Sequence, residues 1–213
     1  MKKLGFTLAE VLITLVIIGV IAAMTVPTLM NNTNAQEFRS ALKKSISGVN
    51  QALTLHYALE GLGAQDYANA NDLIEDLFEK RMNIVEGNYN TGYSIQTPAG
   101  ADAGCTPNNT SGTKTAFTTQ DGIIFCITNW SAGTVDGDQS GACNSYNTFP
   151  CAATQTAPNL YIDVNGEKNP NRATKTSNQP RDQYWAHIYN QKVVPYGAPT
   201  QEVMFDKQVA TGT

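Results

Sequence analysis

An apolar run from Val11 to Val26, preceded by Lys2 and Lys3 and free of charge along its length, sets the first constraint on this chain. Counted from Leu8, it comes close to the roughly 20 residues that a helix needs to cross a bilayer. Basic residues ahead of such a run keep the short N-terminus in the cytoplasm and send the rest of the chain across. An ordinary secretory signal has the same charge order, but a shorter apolar region followed by a small-residue cleavage site. Ala22-Ala23-Met24 imitates such a site, and an uncleaved signal anchor is a further alternative. The length of the run favours a helix that stays in the membrane. Glu10 is the residue out of keeping: a carboxylate in a membrane helix costs on the order of 2.5 kcal/mol or more, so it calls for a partner or a function. No Lys, Arg or His lies between it and Arg39, and the sequence shows no obvious partner within the chain.

The 213 residues leave room for one globular domain beyond the helix. Charged residues make up only 15%, while Gly, Asn and Thr are plentiful, which suits a loop-rich β-containing domain outside the cytoplasm. The formal charge is −4, with no basic patch after the first residues, so no nucleic-acid partner is expected. The four cysteines are Cys105, Cys126, Cys143 and Cys151. An even number in a chain that leaves the cytoplasm reads as two disulfides, ahead of buried free thiols. Metal ligation is disfavoured, because the C-x-x-C pairs of a zinc ribbon are missing. Cys143 and Cys151 bracket one short loop and are the favoured pair, leaving Cys105 with Cys126.

From Asn34 the pattern turns amphipathic. Phe38, Leu42, Ile46, Val49 and Leu53 recur at spacings of three and four, one face of a helix. A single long helix is expected from about Thr7 to about Leu59, ended by Gly61 and Gly63. Gly19 and Pro27 interrupt its apolar part, and Pro27 predicts either a bend or the membrane exit. Asn31-Asn32-Thr33-Asn34 reads as a polar hinge or cap. A short second helix, capped by Asn71 or Asp72, is expected up to Met82. Strands are expected at Tyr93–Thr97, in a hairpin of Thr115–Thr119 and Ile123–Thr128 around Asp121-Gly122, at Leu160–Val164, and at Tyr184–Ile188, which would close the sheet. Pro98–Lys114 and Asn129–Pro158 read as long polar loops.

Gly5-Phe6-Thr7-Leu8-Ala9-Glu10-Val11-Leu12-Ile13 resembles the prepilin cleavage and methylation motif of type IV pilins and type II secretion pseudopilins. The resemblance covers about the first 30 residues. It implies an α+β pilin-like fold, with the long helix packed on an antiparallel sheet that carries disulfide-bearing loops. It divides the chain into a leader (1–5), a transmembrane and assembly helix (6–30) and an extracytoplasmic globular domain (31–213). It implies cleavage between Gly5 and Phe6 by a prepilin peptidase, N-methylation of Phe6, and an assembly role for Glu10, which matches the family's glutamate. Within a filament, the Glu10 carboxylate would attract the new Phe6 amine of a neighbouring subunit. The implied partners are copies of the chain, other pilins or pseudopilins, the peptidase and an inner-membrane assembly platform. The implied location is the inner membrane, then a surface or periplasmic filament. A membrane-anchored binding protein or enzyme borrowing this leader is the alternative of a different class.

Asp163, Asn165 and Glu167 alternate oxygen-bearing side chains around Asn165-Gly166, and calcium is one reading of them. The segment resembles a D-x-N-G-x-x-x-P-N turn of pilin-like proteins, and some pseudopilins hold calcium in C-terminal loops. The plainer reading is an Asx turn between strands. No other cofactor is expected. His56 and His187 lie in no catalytic motif and read as structural, as do Trp130 and Trp185. No catalytic residue is expected.

Overall fold

The computed structural model describes residues 5–85, 94–96, 105, 116–128, 130, 158–173 and 180–205. Cys143, Cys151 and most of both long polar loops lie outside the described residues.

Helix α1 runs unbroken through Leu8–Glu60, as the periodicity predicts. At 1.5 Å per residue it is about 80 Å long, so only part of it can lie on a domain of this size. Gly61 ends it in the left-handed region at φ 73, where it donates to the Tyr57 carbonyl. Neither Pro27 nor the Asn31–Asn34 stretch ends the helix or caps a new one: the backbone is helical on both sides. Proline forfeits only the bond from its own nitrogen to the Ala23 carbonyl, and an apolar surrounding penalises any further break in the ladder.

Phe38, Leu42, Ile46, Val49, Leu53 and then His56 form the buried face of α1. Against it stands an antiparallel sheet with six strands among the described residues, each paired with its sequence neighbours. The strands are β1 (Ile84–Val85), β2 (Ala116–Thr119), β3 (Ile124–Thr128), β4 (Asn159–Asp163), β5 (Gln183–Ile188) and β6 (Val193–Tyr196). Alternation divides the strand side chains between two faces. Phe117, Phe125, Ile127, Leu160, Ile162, Tyr184, Ala186 and Ile188 join the helix in the main core. Ala116, Ile124, Cys126, Tyr161 and Trp185 form a second core on the back, covered by Ile95, Ala173 and Cys105.

The predicted hairpin, β4 and β5 are present within a residue of their expected limits. Three features differ. The Tyr93–Thr97 strand is reduced, in its described part, to a single bridge at Gln96. Its backbone is held by side chains instead: Gln183 Oε1 accepts from the Gln96 amide at 2.9 Å, and Trp185 Nε1 donates to the Gln96 carbonyl at 3.0 Å. Strand β5 does not close the sheet, because β6 follows it as the edge and is succeeded by α4 (Ala198–Phe205). Pro195 within a four-residue strand weakens the strand signal, and an edge is where proline is tolerated.

The second helix is segmented: α2 (Ala70–Leu73), a π turn (Ile74–Phe78) and α3 (Glu79–Arg81). Its cap is Asn69, whose side chain accepts from the Asp72 amide, rather than Asn71 or Asp72. The wide turn is closed by the Glu79 amide on the Ile74 carbonyl. Within it, Ile74, Leu77 and Phe78 are all buried.

Candidate functional site

The N-terminal segment is built from a local hydrogen-bond device. Thr7 is the N-cap of α1, with extended backbone at φ −77 and ψ 151. Its hydroxyl accepts from the Glu10 amide at 3.3 Å. In return Glu10 Oε2 accepts from both the Thr7 amide and the Thr7 hydroxyl, each at 2.8 Å. This reciprocal arrangement is a capping box, and it gives Glu10 an uncharged partner in its own chain, which the pattern of charges does not reveal. The signal was present as Thr7-x-x-Glu10. Thr7 supplies hydrogen bonds and no positive charge, so the Glu10 carboxylate is held by neutral donors together with the helix dipole. Gly5 and Phe6 precede the cap outside the helix, and Phe6 is 88% exposed.

Behind the cap, Leu8–Pro27 is long and apolar enough to cross a membrane, and none of it is buried by the rest of the chain. Thr14 and Thr25 donate their hydroxyls to the Val11 and Ile21 carbonyls, so these polar side chains are satisfied within the helix.

The proposed calcium ligands are arranged differently from one another. Asp163 is fully buried beneath the sheet's back face. Its Oδ1 accepts from the Asn165 amide at 3.2 Å and its Oδ2 from Gln183 Nε2 at 3.0 Å. Asn165 and Asn171 donate their side-chain amides to the Asn169 and Glu167 carbonyls, closing the loop on itself. Asp182, also fully buried, clamps it from below through the Asn171 and Arg172 amides, both at 2.7 Å. Burial pushes the Asp182 carboxyl upward, against the lowering effect of those backbone donors. Gly166, at φ 67, lets the loop pass the hairpin turn, since a Cβ there would lie 2.6 Å from the Gly122 carbonyl oxygen. Among the described residues, no three His, Cys, Asp or Glu side chains are placed to hold a metal. The bond from the Asn165 amide to the Asp163 side chain is that of an Asx turn.

Removing the Asp163 carboxylate takes one acceptor from the partly buried Asn165 amide and one from Gln183, which keeps the Ser94 carbonyl, so Asp163→Ala is expected to cost about 1–3 kcal/mol. Denaturation of the full-length chain should show the same loss with calcium as with chelator. Melting that rises with calcium in the parent and not in the variant would reverse this reading.

A family model for the prokaryotic N-terminal methylation motif matches residues 1–26. The chain is also 35% identical over 100 residues to the type II secretion system core protein G of Escherichia coli. The chain belongs to the pilin and pseudopilin family. The aligned region spans 66% of that relative and 46% of this chain. No solved structure matches it significantly.

The rest of this pilin-like chain is consistent with a structural subunit. The expected Cys105–Cys126 disulfide is present, with a Cα separation of 6.0 Å, and pins the back-face covering to β3. His56 is fully buried and bonded to Tyr67, and His187 lies 4.2 Å from the Tyr196 ring. Trp185 is in the back core, and Trp130 packs against the main core while donating to the Tyr67 carbonyl.

Proposed function

We propose that the chain is made as a precursor, trimmed between Gly5 and Phe6, methylated at Phe6, and assembled through its N-terminal helix into an extracytoplasmic filament. The observation that carries this reading is the 20-residue apolar surface of Leu8–Pro27, left wholly uncovered and headed by an exposed carboxylate at Glu10. Before assembly lipid covers that surface; after assembly the helices of neighbouring subunits do. Residues 1–5 then act as leader, 6–30 as anchor and assembly helix, and 31–213 as the displayed domain. The working partners are further pilins or pseudopilins, a prepilin peptidase and an inner-membrane platform. Similarity to a type II secretion core protein favours the secretion branch over a surface pilus.

Mass spectrometry of the chain recovered from cells should find a mature N-terminus at Phe6, carrying one methyl group. Sheared filaments should contain that same form. A chain that keeps its leader, or one cut after Ala23, contradicts the proposal.

A further inference from the structure

We propose that His56 is an acid-sensitive clasp joining the end of α1 to the helical segment that begins at Ala70. The proposal stands on a buried hydrogen-bond chain. His56 Nε2 is 2.7 Å from the Tyr67 hydroxyl, and that hydroxyl donates to Asp76 Oδ2 at 2.6 Å. Tyrosine has one hydroxyl proton, and Asp76 receives it. The phenol oxygen must therefore accept from His56, which fixes the neutral ring as the Nε2–H tautomer. The other nitrogen, Nδ1, is buried with no hydrogen-bond partner among the described residues. The chain links three separate pieces of backbone: α1, the turn that follows it, and the π turn.

Acid adds a proton at Nδ1. This creates an N–H with no acceptor, together with a positive charge on a fully buried ring. The surrounding charges do not compensate. From the π turn, Asp76 lies 3.9 Å from Nε2, but its carboxylate already serves Tyr67 and Lys80. Glu60 of α1 is paired with Arg81 at 2.7 Å. Lys80 and Arg81, both from α3, repel the added charge, while Asp66 acts mainly on Tyr67. The Trp130 indole donates to the Tyr67 carbonyl at 3.2 Å and so steadies the middle member of the chain. Burial is the dominant influence and holds the imidazole below its ordinary 6.5, with Asp76 opposing.

The sign follows from proton binding. The opened chain takes up the proton near pH 6.5, and the closed chain only at lower pH. Between those values the opened state holds more protons, so acid favours opening. The clasp is at full strength above pH 6.5 and weakens as pH falls through that window. Asp182, raised by burial, acts with the opposite sign, so the comparison of variants isolates His56.

The test uses the full-length chain in detergent micelles at pH 7.5 and pH 5. Amide exchange, corrected for its intrinsic pH dependence, is followed at Leu77 and Phe78. Protection in the parent should fall up to tenfold for each unit by which the ring is depressed. His56→Gln keeps a donor for Tyr67 and does not titrate, so its protection should lack this dependence, whereas His187→Gln should retain it. Direct NMR titration of the His56 ring should give a midpoint below 6.5. A midpoint at or above that value, or equal pH dependence in His56→Gln and the parent, overturns the proposal. Should His56→Gln fail to fold, the ring titration in the parent decides alone.

Discussion

Glu10→Ala is expected to insert in the membrane, to be trimmed after Gly5, and to yield almost no filament. The substitution removes one cap partner, which costs about 1 kcal/mol at a helix terminus and leaves the Leu8–Pro27 span intact. Its effect on assembly is larger. In the proposed filament, the Phe6 amine of the next subunit loses its countercharge inside an apolar bundle. A buried ion left without its partner costs about 3–5 kcal/mol, or a factor of roughly 150 to several thousand at each subunit addition. Gly5→Val provides the contrast, since it is expected to keep the leader and accumulate untrimmed. The two variants therefore fail at different steps, distinguishable by mass and by the yield of sheared filaments. Normal filament yield from Glu10→Ala removes the intersubunit pairing from the proposal. A mature chain starting at Phe6 in Gly5→Val removes the role given to the glycine.

The capping box adds a competitor to this pairing. Thr7 holds Glu10 Oε2 in the unassembled chain through two donors at 2.8 Å. Those bonds leave the charge in place, so the carboxylate is kept oriented without being neutralised. A positively charged amine approaching in a low dielectric offers a stronger interaction than two neutral donors. The unassembled subunit thus keeps its carboxylate hydrogen-bonded, and still gains by exchanging Thr7 for a cation.

Elements governed by short-range pattern were legible in the sequence. The repeat from Phe38 to Leu53 determines which face of α1 is buried, and Asp121-Gly122 determines the hairpin. The Cys105–Cys126 pair also agrees with expectation, because alternation puts Cys126 on the back face where Cys105 covers it. What escaped reading depends on residues far apart in sequence. Gln183 holds Ser94 and Gln96, and Asp182 holds Asn171 and Arg172, each across a distance that no local pattern encodes. His56 continues the buried face of α1, yet its polarity ended the apolar count at Leu53; its partner Tyr67 lies beyond the helix end. Pro195 weakens the signal of strand β6, and Asn71 and Asp72, two capping residues nearer the apolar positions, mask the Asn69 cap.

Phe125→Ala is expected to cost about 3–5 kcal/mol, a large share of the stability of a domain of this size. Three rings connect the layers of the fold. Phe78 from the π turn stacks on Phe117 of β2, and Phe117 stacks on Phe125 of β3, with centroids 5.0 Å apart at each step. Phe125 pairs with Ile162 across β4 and is fully buried, so its removal opens a cavity at the centre of the sheet. The neighbours are poorly placed to fill it. Phe117 is fixed opposite by the strand register, and Lys44 ties the hairpin turn to α1 through Asp121 at 2.7 Å. Phe125→Leu keeps most of the volume but loses the ring stacking, so it should cost distinctly less, about 1–2 kcal/mol. Chemical denaturation of the full-length chain in micelles measures both. A cost below about 1 kcal/mol for Phe125→Ala would mean that the helical segment and the sheet are not joined through these rings.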